Sequence, residues 1–558
     1  MLLPSLSVLV AFASVPWVGA QQLTGIKAGV NQQTGERPAR LEINDFHAKG
    51  GPAWDLFIQA LTAIEAAPEN DLLSWYQIAG IHGLPFKPYN GVENVPGGQV
   101  QGGYCPHGFI TFITWHRPYI ALLEQTVQSQ AEKIAAQYTG SSAEAYKAAA
   151  QTLRFPYWDW AVKPLLPPVT MEPTIQITGP KGPLTLRNPL YSYEFQTFPF
   201  TDPDFQGYTV TQFNETKRCT DAAEGSDGVN NFNTINQLLN GRNLKSLVYS
   251  VFTKSPKFAD MASTYARGPS FEQPHNLVHQ DMGGGPLFSK VGHMQPVAWS
   301  AFDPIFWLHH ANIDRYFAMW QAIYYTGNMF NGSFPGLPTF GTAEGPVTAD
   351  SPLKPFLDSA NTFWTSNSSS STRPFGYTYE GLEDWAMSAP DLAKQVTALV
   401  NRQYGETETT KKKMVRRQQQ KQEKDYAVEI KVDRADLPLP CAIEVRVDTP
   451  AVQGQLVGEF ALLAMPTAGV AYANIGFDNI DLNVHIPASE MVAALKENMR
   501  VVIKNANGTT VPPESVRSLA IEIQDRDVTA PQSEDEFPVY GKMTSWPVDI
   551  KDIAGSTS

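Results

Sequence analysis

Apolar side chains recur every three to four positions over residues 53–66, 118–138, 142–151 and 305–325, and each stretch is predicted to form a helix with one buried face. Long segments rich in Gly and Pro separate them, and residues 163–213 read as loops and short strands wrapped over the surface. Past residue 425 the period changes to two. Val428, Ile430 and Val432 alternate with polar residues, as do Ile443, Val445 and Val447, and Ile521-Glu522-Ile523 continues the pattern, so residues 426–558 are predicted to form an all-β sandwich. Residues 401–425 separate the two patterns. Lys411-Lys412-Lys413, Arg416-Arg417 and Gln418-Gln419-Gln420 leave this segment almost nothing apolar to bury, which predicts a basic, exposed linker. The Arg416-Arg417 pair suits a processing protease. No internal repeat is visible.

Composition changes this picture little. A chain of 558 residues is long enough for two folded units, and 42% hydrophobic with 17% charged residues is an ordinary globular balance. The net charge of −13 argues against nucleic acid as a partner. Residues 1–20 read as a secretory signal peptide: an apolar run from Leu6 to Val15 is followed by the small residues of Val18-Gly19-Ala20. Sequons at Asn214, Asn331, Asn367 and Asn507 fit passage through the secretory route as a glycoprotein. No later apolar stretch is long enough to span a bilayer, so a secreted protein without membrane contact is expected. Three cysteines, Cys105, Cys219 and Cys441, are too few for a disulfide framework.

The histidines carry the chemistry. His82, His107 and His116 form one group; His275 and His279, one helical turn apart, form a second with the adjacent His309 and His310. Neutral imidazole binds copper, zinc and iron, and two groups converging on one cavity would make a dinuclear site. The neighbouring residues narrow the choice. Phe112-Ile113-Thr114-Trp115-His116-Arg117-Pro118-Tyr119 and Asp303-Pro304-Ile305-Phe306-Trp307-Leu308-His309-His310-Ala311-Asn312-Ile313-Asp314-Arg315 together resemble the two copper signatures of the superfamily that holds tyrosinases, catechol oxidases and molluscan haemocyanins. The resemblance runs over residues 40–380. Tyr377-Thr378-Tyr379 resembles the Tyr-x-Tyr motif that closes the catalytic domain, and Arg40 its N-terminal counterpart.

This resemblance implies a mainly α catalytic domain at 21–400, with a four-helix bundle holding two copper ions. His82, His107 and His116 would bind one ion, and His275, His279 and His310 the other, with His309 a packing neighbour. His47, His293 and His485 have no place in the motifs. Cys105, two residues before His107, implies a thioether to that histidine, as in fungal tyrosinases. The implied reaction uses O2 to hydroxylate monophenols and oxidise o-diphenols to o-quinones, the chemistry of melanin pigments. Glu272 and Asn276 match the pair proposed in the family to hold the water that accepts the phenol proton. Val297 aligns with the residue over the second copper, at the substrate entrance. The β unit implies a latent proenzyme, with Tyr472 or Phe477 as the residue inserted over the coppers. Catechol or o-aminophenol oxidases without monophenol activity and a haemocyanin-like oxygen carrier share these motifs. A dinuclear zinc hydrolase is the rival of another class, though it would usually need bridging carboxylates that are missing here.

Overall fold

The computed structural model describes residues 20–221, 223, 225–285, 290–405, 423–448, 452–477 and 490–553. Nearly all of the expected signal peptide, residues 406–422 of the expected linker, and His485 lie outside them.

The N-terminal unit is built around four helices: α1 (Gly51–Glu65), α2 (Phe112–Ala135), α3 (Glu272–Met282) and α4 (Pro304–Tyr324). α2 and α4 are buried on nearly every side, and α1 lies against α2. The helix expected to open at residue 118 begins at Phe112. Its first turns, from Phe112 to Leu123, are wholly buried and so carry no amphipathic period, and Pro118 imitates a helix start while standing inside one. α4 has both start signals. Pro304 follows Asp303, whose Oδ1 accepts from the Ile305 N–H at 3.1 Å. Arg218 fixes that cap by donating to Asp303 from Nε and Nη2. Residues 163–213 are loops, 3₁₀ turns and a hairpin of Thr174–Gly179 with Gly182–Arg187, as the composition indicated.

A buried charge cluster ties α2 to α4. Asp314 Oδ1 accepts from Arg117 Nε at 2.6 Å, while its Oδ2 accepts from Arg40 Nη1 at 3.1 Å, Tyr377 OH at 2.5 Å and Tyr379 OH at 2.7 Å. Arg40 Nε also donates to Glu124 of α2 at 2.8 Å, and its guanidinium lies over the Tyr377 ring at 3.6 Å. Backbone pairing holds the cluster in place: Ala39–Arg40 runs parallel to Thr378–Tyr379. The motif residues at the two ends of the unit therefore meet.

Helix α5 (Ala389–Gln403) closes this unit, and Tyr404 beyond it donates to Asp159 while accepting from Arg315 of α4. The expected linker is thus shorter than 401–425. Residues 401–403 end α5, and residues 423–425 open strand β1 (Glu423–Asp433). Those last residues are polar yet pair as a strand because strand β7 (Ala520–Thr529) answers their charges: Lys424 meets Asp525, and Asp425 meets Arg526.

Two sheets make up the C-terminal unit. β4 (Val470–Gly476), β1, β7 (Ala520–Thr529) and β8 (Val539–Tyr540) lie in that order, with β9 (Thr544–Val548) also paired to β7. The second sheet runs β3 (Gln455–Leu462), β2 (Cys441–Val447), β5 (Met499–Asn505), β6 (Thr510–Val511). A shared core of Val428, Ile430, Ile443, Val445, Val501 and Ile523 joins them. Two α-helices, Met491–Asn498 and the short Ile550–Ile553, accompany the strands among the described residues.

Candidate metal centre

The histidines come from different kinds of backbone. His82 follows the short helix Trp75–Gly80 in a turn, and His107 lies on a loop. His116 sits on α2, His275 and His279 on α3, and His310 on α4. All six are buried, and their rings face one cavity. His116 stacks on His310 with centroids 4.2 Å apart, which brings the two groups together.

Second partners decide which nitrogen of each ring is free. His82 Nδ1 donates to the Val297 carbonyl at 3.0 Å, His116 Nδ1 to Phe112 O at 2.8 Å, and His279 Nδ1 to Met294 O at 2.7 Å. His275 Nδ1 donates to Asn276 Oδ1 at 2.8 Å. Each of these rings therefore presents Nε2 as a lone pair. The Nε2 of His310 lies 3.2 Å from that of His275 and 3.3 Å from that of His279, and His82 Nε2 has no hydrogen-bond partner. Nitrogens this close need a proton or a metal cation between them, and His310, whose Nδ1 has no partner, can take either arrangement. An added proton is a poor choice: burial, with only partial compensation from the carbonyls, pushes His116 down to about 3 and His279 to about 4. For His310 burial first, then the neighbouring imidazoles, push it well down too. Two buried clusters, one of His82, Cys105, His107 and His116 and one of His275, His279, His309 and His310, each hold ligand atoms within 4.8 Å of one another, and imidazole-rich clusters with no carboxylate suit two copper ions.

His309 stands apart from this pattern. It is buried with both ring nitrogens unpartnered and lies 5.0 Å from His275, nearly parallel to it. His293 accepts from the Lys217 N–H, and the exposed His47 packs on Trp54; neither is near the cavity groups. Cys105 Sγ lies 3.2 Å from His107 Nδ1 and 3.7 Å from Nε2, facing the ring edge between the two nitrogens.

Glu272 opens α3 and is fully enclosed. Its Oε1 accepts from Gly108 N–H at 2.6 Å, and its Oε2 from Thr264 N–H at 2.7 Å and Thr264 Oγ1 at 3.0 Å. Burial pushes its carboxyl up, opposed by the Arg434 guanidinium and by those donors. Asn276, with Oδ1 on His275, donates from Nδ2 to the carbonyl of Ala461 in β3 at 3.2 Å. Val297 is buried, and its carbonyl serves His82, a member of the first group rather than the second.

The C-terminal unit covers this face. Arg242, Lys254 and Arg267 of the helical unit pair with Glu459, Asp425 and Glu429 of the β unit. Of the two aromatics expected to plug the site, Phe477 turns away from it. In β4 the odd positions Ala471, Ala473 and Ile475 face the sandwich core, and Phe477 continues that face into the core. Tyr472 is on the opposite face, where its N–H donates to Thr264 O at 2.7 Å. Chain from β3 and the turn after β1 reaches closest to the site, through Ala461 and Arg434. Sequence reasoning missed Thr264, Gly108, Arg434 and the carbonyls of Val297 and Met294. None lies in a motif, and apart from Gly108, which follows His107, only folding brings them to the site.

A family model described as the common central domain of tyrosinase matches residues 72–323. Residues 72–323 form a tyrosinase-family central domain. A tyrosinase of Podospora anserina is 36% identical over 382 residues, covering 65% of each chain. One of Neurospora crassa is 34% identical over 392 residues, 65% of this chain and 56% of that one. Polyphenol oxidase 4 of Agaricus bisporus is 33% identical over 389 residues, 67% and 61% respectively. The match thus spans less than two thirds of these relatives' own length. A crystal structure of latent and active mushroom tyrosinase superposes with a TM-score of 0.80 at 25% identity, covering 95% of this chain and 98% of that one. An Aspergillus oryzae pro-tyrosinase shares the fold, with a TM-score of 0.73 at 23% identity, covering 96% and 98%.

Proposed function

We propose that this chain is a copper-dependent phenol oxidase of the tyrosinase family, made as a latent proenzyme, that converts monophenols and o-diphenols to o-quinones with O2. The observation that carries the reading is the convergence of six buried imidazoles in two adjoining clusters, with the Nε2 atoms of His275, His279 and His310 facing one another. His82, His107 and His116 would hold one copper, and His275, His279 and His310 the other. When bound, the pair supplies O2 activation and takes up the electrons of the substrate.

The chain's own residues manage orientation and protons. Val297, Phe112 and Met294 carbonyls and Asn276 fix the rings by their Nδ1–H groups. A monophenol has an unperturbed pKa of about 10, so its proton needs an acceptor. Glu272 and Asn276 supply it through a shared water. In the intact chain both are engaged: three donors occupy Glu272, and Ala461 holds the Asn276 amide. That engagement supports latency, with cleavage between α5 and β1 releasing the β unit. Cys105 forms a thioether at the His107 ring edge, the C–S bond replacing an S–H and a ring C–H as O2 accepts the two electrons. Val297 borders the substrate entrance. Export into the secretory route suits the exposed Asn214, Asn331 and Asn507; Asn367 is half-buried, its amide donating to Asp350. Among the described residues no helix is long and apolar enough to cross a membrane.

Oxygen uptake by the copper-loaded chain with L-tyrosine and L-DOPA, before and after a protease cut within 406–422, tests this. Uptake with both substrates should rise sharply after the cut, and Glu272→Gln should lose about 10²–10⁴-fold with L-tyrosine while retaining L-DOPA. Oxidation of L-DOPA alone would make the chain a catechol oxidase. Silence with both, together with reversible O2 binding, would make it a carrier.

A further inference from the structure

Arg434 is the only arginine of the β unit described as buried, at 3% exposure, and it reaches out of that unit. Its backbone is anchored at both ends: the N–H donates to Gly469 O at 3.0 Å, and the carbonyl accepts from Leu437 N–H at 3.1 Å. The guanidinium fills a hollow above Gly108, where a Cβ would stand 2.8 Å from Nη2 and 3.0 Å from Cζ. Nη2 donates to Thr264 Oγ1 at 2.8 Å, and that hydroxyl donates its single proton to Glu272 Oε2 at 3.0 Å. Gly108 and Thr264, the two residues Arg434 touches, are the two that hold Glu272. The β unit grips Thr264 a second time through Tyr472 N–H on its carbonyl.

We propose that Arg434 is a positioning residue by which the docked β domain holds back the proton-accepting Glu272, through the relay Arg434–Thr264–Glu272. The proposal rests on Glu272 being that acceptor and adds a control distinct from steric cover. A cation behind the hydroxyl strengthens its donation and stabilises the carboxylate, which makes Glu272 a weaker acceptor for a phenol proton. Steric cover alone would slow monophenols and catechols together; the relay slows only the step that needs Glu272. Release of the domain removes the cation and opens the hollow over Gly108.

The test uses the full-length, uncut, copper-loaded chain with 4-methylphenol and 4-methylcatechol. Arg434→Gln should raise the ratio of phenol to catechol turnover about tenfold, and Thr264→Val, which keeps the cation but cuts the relay, should raise it too. Arg434→Lys, which keeps the charge, should leave the ratio as in the parent chain. After the β domain is cut away and removed, the Arg434 variants and the parent should coincide. A readout free of turnover is the infrared signal of the protonated Glu272 carboxyl in the copper-free chain, assigned by its loss in Glu272→Gln. Arg434 and the Cys105 thiol are the titratable groups facing that carboxyl. At neutral pH the signal should grow in Arg434→Gln and not in Arg434→Lys. An unchanged signal in Arg434→Gln overturns the relay, as does an unchanged ratio. If Glu272→Gln in the cut enzyme hydroxylates 4-methylphenol normally, the acceptor reading falls instead, while the infrared result still judges the relay.

Discussion

Replacing Asp314 with Asn should weaken the helical unit by a calculable amount. The cluster of Arg40, Arg117, Glu124 and Asp314 is buried and formally neutral. Asp314→Asn keeps the shape but leaves two guanidinium groups with one carboxylate, and at least one of its four donors without an acceptor. Removing one partner of a buried pair costs about 3–5 kcal/mol. A unit of roughly 390 residues melts with an entropy of about 0.8 kcal/mol/K, so the melting temperature should fall by about 4–6 °C. Differential scanning calorimetry of the copper-free protein at pH 7 measures this without metal binding masking the loss. Tyr377→Phe, which removes one hydroxyl donor, should cost only about 1–2 °C. The sign with pH is fixed as well. Burial pushes the Asp314 carboxyl up, but Arg117, Arg40 and the tyrosine hydroxyls outweigh it and hold it below its ordinary value. Its contribution is therefore complete above the ordinary Asp value of about 3.9 and is lost as pH falls through the lower folded value. The gap between parent and Asp314→Asn should close under acid. A variant that melts within about 1 °C of the parent at pH 7 would refute the view that this cluster braces α2 against α4.

Copper content separates the adjacent histidines. His310→Ala should lose one of two coppers by atomic absorption, whereas His309→Gln should keep both, since only His310 directs Nε2 at His275 and His279. Cys105→Ser should bind copper about 10–100-fold more weakly, and the parent peptide carrying Cys105 and His107 should be lighter by two hydrogens in mass spectrometry. An unlinked peptide in an active, copper-loaded preparation would rule out the thioether.

The sequence made the metal centre largely legible because its ligands fall within short motifs. His275 and His279 share a helix face by spacing alone, and His116 and His310 each stand in a long signature. The charge cluster was half visible: the motifs held Arg117 and Asp314, while the closure of Arg40 onto Tyr377 and Tyr379 needed two segments to pair across most of the unit. Arg434 and Thr264 were invisible. Their meeting depends on how two domains dock, which no local period encodes. The choice of Phe477 as the plug failed on strand geometry: alternation turns it into the sandwich core, while Tyr472 lies on the other side of β4. Strand β1 began earlier than its charged first residues suggested because their partners lie about a hundred positions away in β7.

The parallel pairing of Ala39–Arg40 with Thr378–Tyr379 gives the helical unit a topological property. Its first and last structural segments are neighbours, so the unit is a closed loop in space. A circular permutant that joins residue 405 to residue 20 by a flexible linker, with new ends opened in the loop at 225–227, would keep every histidine on its own helix or turn. The cut proposed within 406–422 would leave the same closure intact: it would detach the cover without cutting the strap that ties the histidine-bearing helices together.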